Sequence, residues 1–327
     1  MERNKTIDIA KGIAIFLVIV GHQGDIGMLS HFIYSFHMPL FFILAGYFFK
    51  EKDVATTFKS SWKRLVNPYL FSCALYLLWY IAFGMKYHSL DMITRAFRCA
   101  MWGSGAYHGD VIWGQLPTIG MIWFLLALFW SRVVYNAIVK IIPKYKYIIG
   151  GIVAVAATVV NNYVIDLPWA ILPGLSAIMF FMLGSFLREH QTVIVEKQKT
   201  LVPIGLVCWI IAIVCSHTNM VSCHYGCYPL DVIGACGATW VVYQLSRLIN
   251  NKGGKVSAFL TWAGVNSMSI LCAHFLEQST FVWQHVHIPE DWYIILPIKF
   301  VYVVCFTLFA YKIPYTRSLL GIKKYGE

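Results

Sequence analysis

The sequence predicts an all-α polytopic membrane protein, a bundle of about ten transmembrane helices with both termini cytoplasmic. Three observations lead there. Apolar residues make up 59% of the 327 and charged residues only 13%, about half the charged share of a soluble domain; mean hydropathy is +0.65. The chain divides into ten apolar runs, each near the length that spans hydrocarbon. Lys and Arg fall in alternate loops, as membrane topology requires.

The first run, residues 6–23, reads TIDIAKGIAIFLVIVGHQ and holds three groups that do not belong in lipid: Asp8, Lys11 and His22. Lys11 and His22 are eleven residues apart. Eleven steps of 100° make about three whole turns, so the two share one helix face, roughly 16 Å apart along the axis. Asp8 precedes Lys11 by three residues, a spacing that bridges on one face, and is read as orienting the lysine. A cation deep on one side and a histidine near the other mark a path across the bilayer. The run has a basic flank, but Gly-His-Gln-Gly is a poor cleavage site, so no cleavable signal peptide is expected.

The remaining runs are 31–49, 66–84, 119–139, 147–164, 168–187, 201–216, 230–249, 258–276 and 293–312. Loop charges test this division. One set of loops and tails holds 21 of the 26 Lys and Arg, from Arg3 and Lys5 through Lys50 to Arg64, Arg132 to Lys146, Arg188 to Lys199, Arg247 to Lys255 and Lys312 to Lys324. The opposite set holds Lys86, Arg95 and Arg98, while Lys11 and Lys299 lie inside spans. The net charge of +11 is thus accounted for by topology, and no basic stripe with interleaved aromatics points to nucleic acid. No soluble domain or low-complexity linker interrupts the spans, so 1–327 reads as a single transmembrane domain. Its one sizeable outer segment, 85–118, carries Tyr107 and Trp113 and reads either as a substrate-contact surface or as an interfacial cap.

Helix directions then set depths. His37, Asp231, His274, Glu277 and Lys299, from four other helices, all fall at the level of His22. Each has a plainer reading: His37 as a helix-to-helix hydrogen-bond donor, Lys299 as the ion-pair partner of Asp231 or Glu277. Of the nine cysteines, Cys223 and Cys227 share an outer loop, where a disulfide, a metal mimic with His217 and His224, or neither is open. No metal is expected.

Several stretches bear a family resemblance. TIDIAKGIAIFLVIVGH resembles the opening of the membrane-bound acyltransferase-3 family, which includes fucose O-acetylase-like and O-antigen-modifying enzymes. That family's first helix carries a basic residue, ten residues, then histidine, as Lys11 and His22 do. YSFHMPLFFILAGYFF resembles its second helix around His37-Met38-Pro39, and KRLVNPY, 63–69, its basic segment before the third. IWFLLALF, FFMLGSFLRE and the Gly-x-Asn-Ser segment of WAGVNSMSILCAHF, ending in His274, are similar to later family stretches. Some members carry an arginine pair three apart where this chain has Lys59, Lys63 and Arg64. The chain resembles a stand-alone member, without an appended soluble domain.

The resemblance implies transfer of an acyl group, usually acetyl, from cytoplasmic acyl-CoA to a hydroxyl of an extracytoplasmic or lipid-linked glycan, in a bacterial inner membrane. Lys59, Lys63 and Arg64 then suit the phosphates of the donor, with Lys11 further in along the pantetheine arm. His22 acts as general base or as nucleophile through an acyl-histidine. His37 or Lys299 would stabilise an oxyanion, and Asp231 or Glu277 would orient an imidazole. Homo-oligomerisation is left open. The competing class is a secondary transporter of a glycan precursor or small metabolite, against which stand the missing internal repeat and the lack of matched Gly/Pro-broken helices.

Overall fold

The computed structural model describes residues 4–23, 26–106, 118–215, 218–280 and 292–324. Among them regular structure is helical throughout, with a single isolated bridge between Asn219 and His224. Among the described residues eight helices are long and apolar enough to cross a membrane, and a pair bent by 75° makes a ninth if it is counted as one span. With the shorter first helix these account for the ten apolar runs, and the chain is a multi-pass membrane protein.

The helix α1 (Lys5–Gly21) starts on an Asn4 cap, whose side chain accepts from the Ile7 backbone N–H. It is about 25 Å long and buried along most of one side. Its neighbour α14 (Gly254–Val265) lies almost backbone to backbone with it. A β-carbon on Gly12 would fall onto the Leu260 carbonyl, and one on Gly264 onto that of Asp8. Helix association in lipid depends on such close packing, because the tails are as apolar as the side chains. The pair formed by α3 (His37–Tyr47) and α10 (Ile178–Glu189) is built the same way, with Gly46 against Phe181 and Gly184 against Ile43.

Three irregularities position the site. The second run is two helices, α2 (Met28–Tyr34) and α3, broken at Ser35 and Phe36, with the Trp209 indole N–H donating to Ser35 Oγ at 2.8 Å. The third is longer than its apolar core: α4 (Val54–Ser61) runs through a π-helical turn, Trp62–Val66, into α5 (Asn67–Lys86). That wide turn carries Lys63 and Arg64, and such turns recur at functional sites. The ninth run, expected as one span over 258–276, is the bent pair of α14 and α15 (Ser267–Ser279).

Asn266 makes that bend. Its Nδ2 donates to the carbonyls of Trp262 (3.0 Å) and Lys323 (3.1 Å), and its Oδ1 accepts from the Lys323 backbone N–H at 2.7 Å. The side chain therefore ties the bend to the backbone of Lys323, while the Trp262 carbonyl also accepts from the Asn266 backbone N–H at 3.0 Å. The bend turns α15 inward, and every residue from Ser269 to Glu277 is buried. The remaining helices are α6 (Leu90–Trp102), α7 (Trp123–Ile141), α8 (Lys146–Tyr163), α9 (Ile171–Ser176), α11 (Gln191–Glu196), α12 (Gln198–Cys215) and α13 (Tyr228–Lys252). Last come α16 (Trp292–Lys312) and α17 (Pro314–Leu320).

Candidate active site

Part of the Lys11–His22 face of α1 lines a cavity. It measures about 340 Å³, opens beside Lys11 and is walled by Ile15 and Val18, by Met38 and Phe41 of α3, by Phe124 and Leu125 of α7, and by the first turn of α15. Lys11, Ile15 and Val18 are successive α1 steps on one face, and the next step on that face is His22. Three cations line the cavity, Lys11, Arg64 and Arg132, and no carboxylate does. Asp8 pairs with Lys11 at 3.6 Å from the side, the orienting contact its spacing implied. Arg132 Nε is buried and has no hydrogen-bond partner among the described residues. Converging cations with a bare buried N–H form a site suited to a polyanion whose remaining length is apolar.

At the other end of α1, His22 is its C-cap residue. Its Nδ1 lies 2.7 Å from the Val18 carbonyl. A carbonyl only accepts, so Nδ1 carries the hydrogen and Nε2 of the neutral ring keeps the lone pair. His37, on α3, is held the same way by the Ile33 carbonyl at 2.7 Å. The Tyr34 ring stands between them, 6.3 Å from His22 and 5.1 Å from His37 by ring centroids, and its hydroxyl donates to the Gly21 carbonyl.

The bend at Asn266 brings His274 to His22, with ring centroids 5.7 Å apart and planes at 76°. His274 Nδ1 donates to Glu277 Oε2 at 2.8 Å, and the other carboxylate oxygen meets Lys299 Nζ at 3.2 Å. His274 and Glu277 are fully buried and Lys299 nearly so. An imidazole aligned by a carboxylate, itself fixed by a lysine, is locked in orientation and tautomer. Its Nε2 is buried and has no hydrogen-bond partner among the described residues.

The residues singled out from the sequence divide accordingly. His22, His37, His274, Glu277 and Lys299 gather at one end of α1, and Lys11, Asp8 and Arg64 at the other. Lys59 and Lys63 are exposed near the π-helical turn and do not line the cavity. Asp231 caps its own helix: its Oδ2 accepts from the Cys227 backbone N–H at 3.0 Å, and its N–H donates to the Cys227 carbonyl. Lys299 thus takes Glu277, one of its two expected partners. Tyr107 and Trp113 lie outside the described residues. Cys223 and Cys227 are free thiols, and no cluster able to hold a metal occurs among the described residues. Three contributors escaped the sequence reading. Arg132 was counted only as a loop charge. Tyr34 sits three residues before His37, a spacing that would have shown it. Gln278, whose amide donates to the His22 carbonyl at 3.3 Å, carries no signal beyond its place beside Glu277.

The family described as an acyltransferase domain matches residues 4–312, nearly the whole chain, and the protein belongs to it. Among individual proteins it is similar to the nodulation protein NolL of Sinorhizobium fredii, at 27% identity over 251 residues, 68% of this chain. The match spans 62% of that relative's length. No solved structure matches.

Proposed function

We propose that this protein is a membrane O-acyltransferase that takes an acyl group, acetyl being the simplest, from acyl-CoA at the Lys11 end of α1. It passes the group to a hydroxyl of a carbohydrate or lipid-linked glycan at the His22 end. In this reading the N-terminus and the Lys11 end are cytoplasmic and the membrane is a bacterial inner membrane, as the loop charges and the bacterial relative favour. One observation carries it: a single helix face joins an acid-free, three-cation cavity to a histidine held with Nε2 free.

Lys11, Arg64 and Arg132 hold donor phosphates, with Lys59 and Lys63 as an outer basic surface. The narrow arm lies against Ile15 and Val18, which places its thioester near His22. There the acceptor oxygen attacks the thioester carbonyl, a C–O bond forms and the C–S bond breaks. The hydroxyl proton goes to an imidazole Nε2 and from there to the departing thiolate. In the direct route His22 is that base. In the two-step route His22 Nε2 takes the acyl group from the thioester as the thiolate leaves, and His274, its ring 5.7 Å from that of His22, accepts the proton of the hydroxyl. His37 or Lys299 stabilises the oxyanion.

The test follows CoA thiol release and bound acetyl label in purified protein. Wild type should turn over. His22→Ala should lose about 10³-fold while still binding acetyl-CoA, and Lys11→Ala should weaken binding. Failure of wild type to bind or consume acetyl-CoA with candidate glycans supplied would sink the reading. The bent span at Asn266 favours a second reading, transport, because intramembrane helix breaks beside ionisable groups are a transporter device. A transporter would leave acyl-CoA intact.

A further inference from the structure

A second cavity, about 410 Å³, lies between α3, α10 and α11 on one side and α12 and α13 on the other. The transfer reaction does not use it. Its walls are hydrocarbon, among them Ile43, Leu183, Leu201, Ile204 and Ile233. Leu201, Ile204 and Ile233 are also 44%, 51% and 46% exposed, so the groove opens on the outer surface of the bundle. Asn4, Tyr47, Gln191 and Gln198 form a polar rim near the end of the bundle where α1 begins, and Thr239, Trp240 and Tyr243 of α13 also line the groove.

That rim is basic. The Arg188 guanidinium lies over the Tyr47 ring at 5.3 Å, and the Tyr47 hydroxyl donates to Gln191 at 2.9 Å. Lys197 and Lys199 flank Gln198, and Lys5 follows Asn4. Of the two acids nearby, Glu189 is engaged by Lys146 at 2.6 Å and by Tyr147 at 2.8 Å, which leaves Glu196. No carboxylate lines the cavity.

We propose that this groove holds one anionic phospholipid, with an acyl chain between α3 and α12–α13 and its phosphate at Arg188, Lys197 and Lys199. The pattern of charge requires both halves of the ligand. A soluble anion gains nothing from the hydrocarbon walls, and a neutral lipid leaves the cationic rim without a partner. Basic pockets between helices at the membrane surface bind acidic headgroups for this reason. Leu44 lines both this groove and the donor cavity. The lipid chain therefore supports α3 from the side opposite the proposed donor.

Native mass spectrometry of the purified full chain with equimolar phosphatidylglycerol and phosphatidylcholine of matched chains tests this. Wild type should retain one phosphatidylglycerol with about ten-fold preference, a difference of about 1.4 kcal/mol. Arg188→Gln/Lys197→Gln/Lys199→Gln, all at the rim, should bring the preference near one. Ile204→Trp, which fills the groove from its open side, should lower retention of both lipids, with thermal melting confirming the fold. Equal retention by wild type, a preference that survives loss of the rim charges, or displacement of the lipid by glycerol phosphate alone would each overturn the proposal.

Discussion

At its Lys11 end α1 brings Lys11 into a cavity shared with Arg64 and Arg132, with Asp8 paired beside it and an Arg132 N–H without a hydrogen-bond partner among the described residues. At its His22 end the charges are already matched, Lys299 to Glu277 and Glu277 to His274. In the proposed reading the first end has its electrostatics completed by the donor. The second is completed by the fold, and what it leaves over is a lone pair. A bound polyanion should stabilise one end and be irrelevant to the other, so the two respond to different perturbations.

The contrast can be broken by assigning sides. Burial pushes the Cys223 thiol up to about 12, so at pH 8 roughly one molecule in 10⁴ carries that thiolate. Cys227 is exposed on the same loop. In a Cys215→Ser background, an impermeant maleimide applied to intact cells should label Cys227 quickly. Cys223, fully buried, should stay unlabelled at pH 8, because only an accessible thiolate reacts. Protection of Cys227 in intact cells but not in lysates would reverse the assignment of the two ends.

The His22 end is sharpened by Glu277→Gln. Lys299 is then buried beside a neutral amide, and breaking a buried pair costs about 3–5 kcal/mol. The melting temperature should fall steeply, and Glu277→Gln/Lys299→Met should recover most of it. A single variant that melts like wild type would mean that the pair does not hold the site. The Lys11 end should behave in the opposite way. Arg132→Gln should weaken acetyl-CoA binding about ten-fold, near 1.4 kcal/mol, by calorimetry, with little change in melting temperature without donor. The smallest effect belongs to Asp8→Asn. The Asp8–Lys11 pair is partly solvated at the lysine, so a shift of about two-fold in donor affinity is expected. A ten-fold change would give Asp8 a larger part than orientation.

Much of this was legible because a helix converts sequence spacing into facing. The eleven-residue interval between Lys11 and His22 fixed their shared face, and depth alone grouped His37, His274, Glu277 and Lys299. Depth does not distinguish roles at Asp231, whose Oδ2 accepts from the Cys227 backbone N–H, since a carboxylate in the first turn of a helix is also used as a local cap. The bend at Asn266 was hidden for a physical reason. Its distant partner is Lys323, 57 residues on, and the nearby Gly264 reads equally well as a close-packing residue, since a β-carbon there would meet the Asp8 carbonyl. Arg132 was obscured by its position at a span's end, where a topological charge and a ligand-binding one look alike.

The Asn266 clamp also has a consequence for biosynthesis. His274 and Glu277 take up their places only when α15 is turned, and the turn is held by both backbone groups of Lys323. α1 is translated first, but the groups it works with cannot be locked beside it until residue 323 has left the ribosome. A nascent chain therefore carries His22 through the membrane long before the surrounding machinery exists. If the proposed transfer needs these groups in place, the order of synthesis keeps an incomplete copy inert.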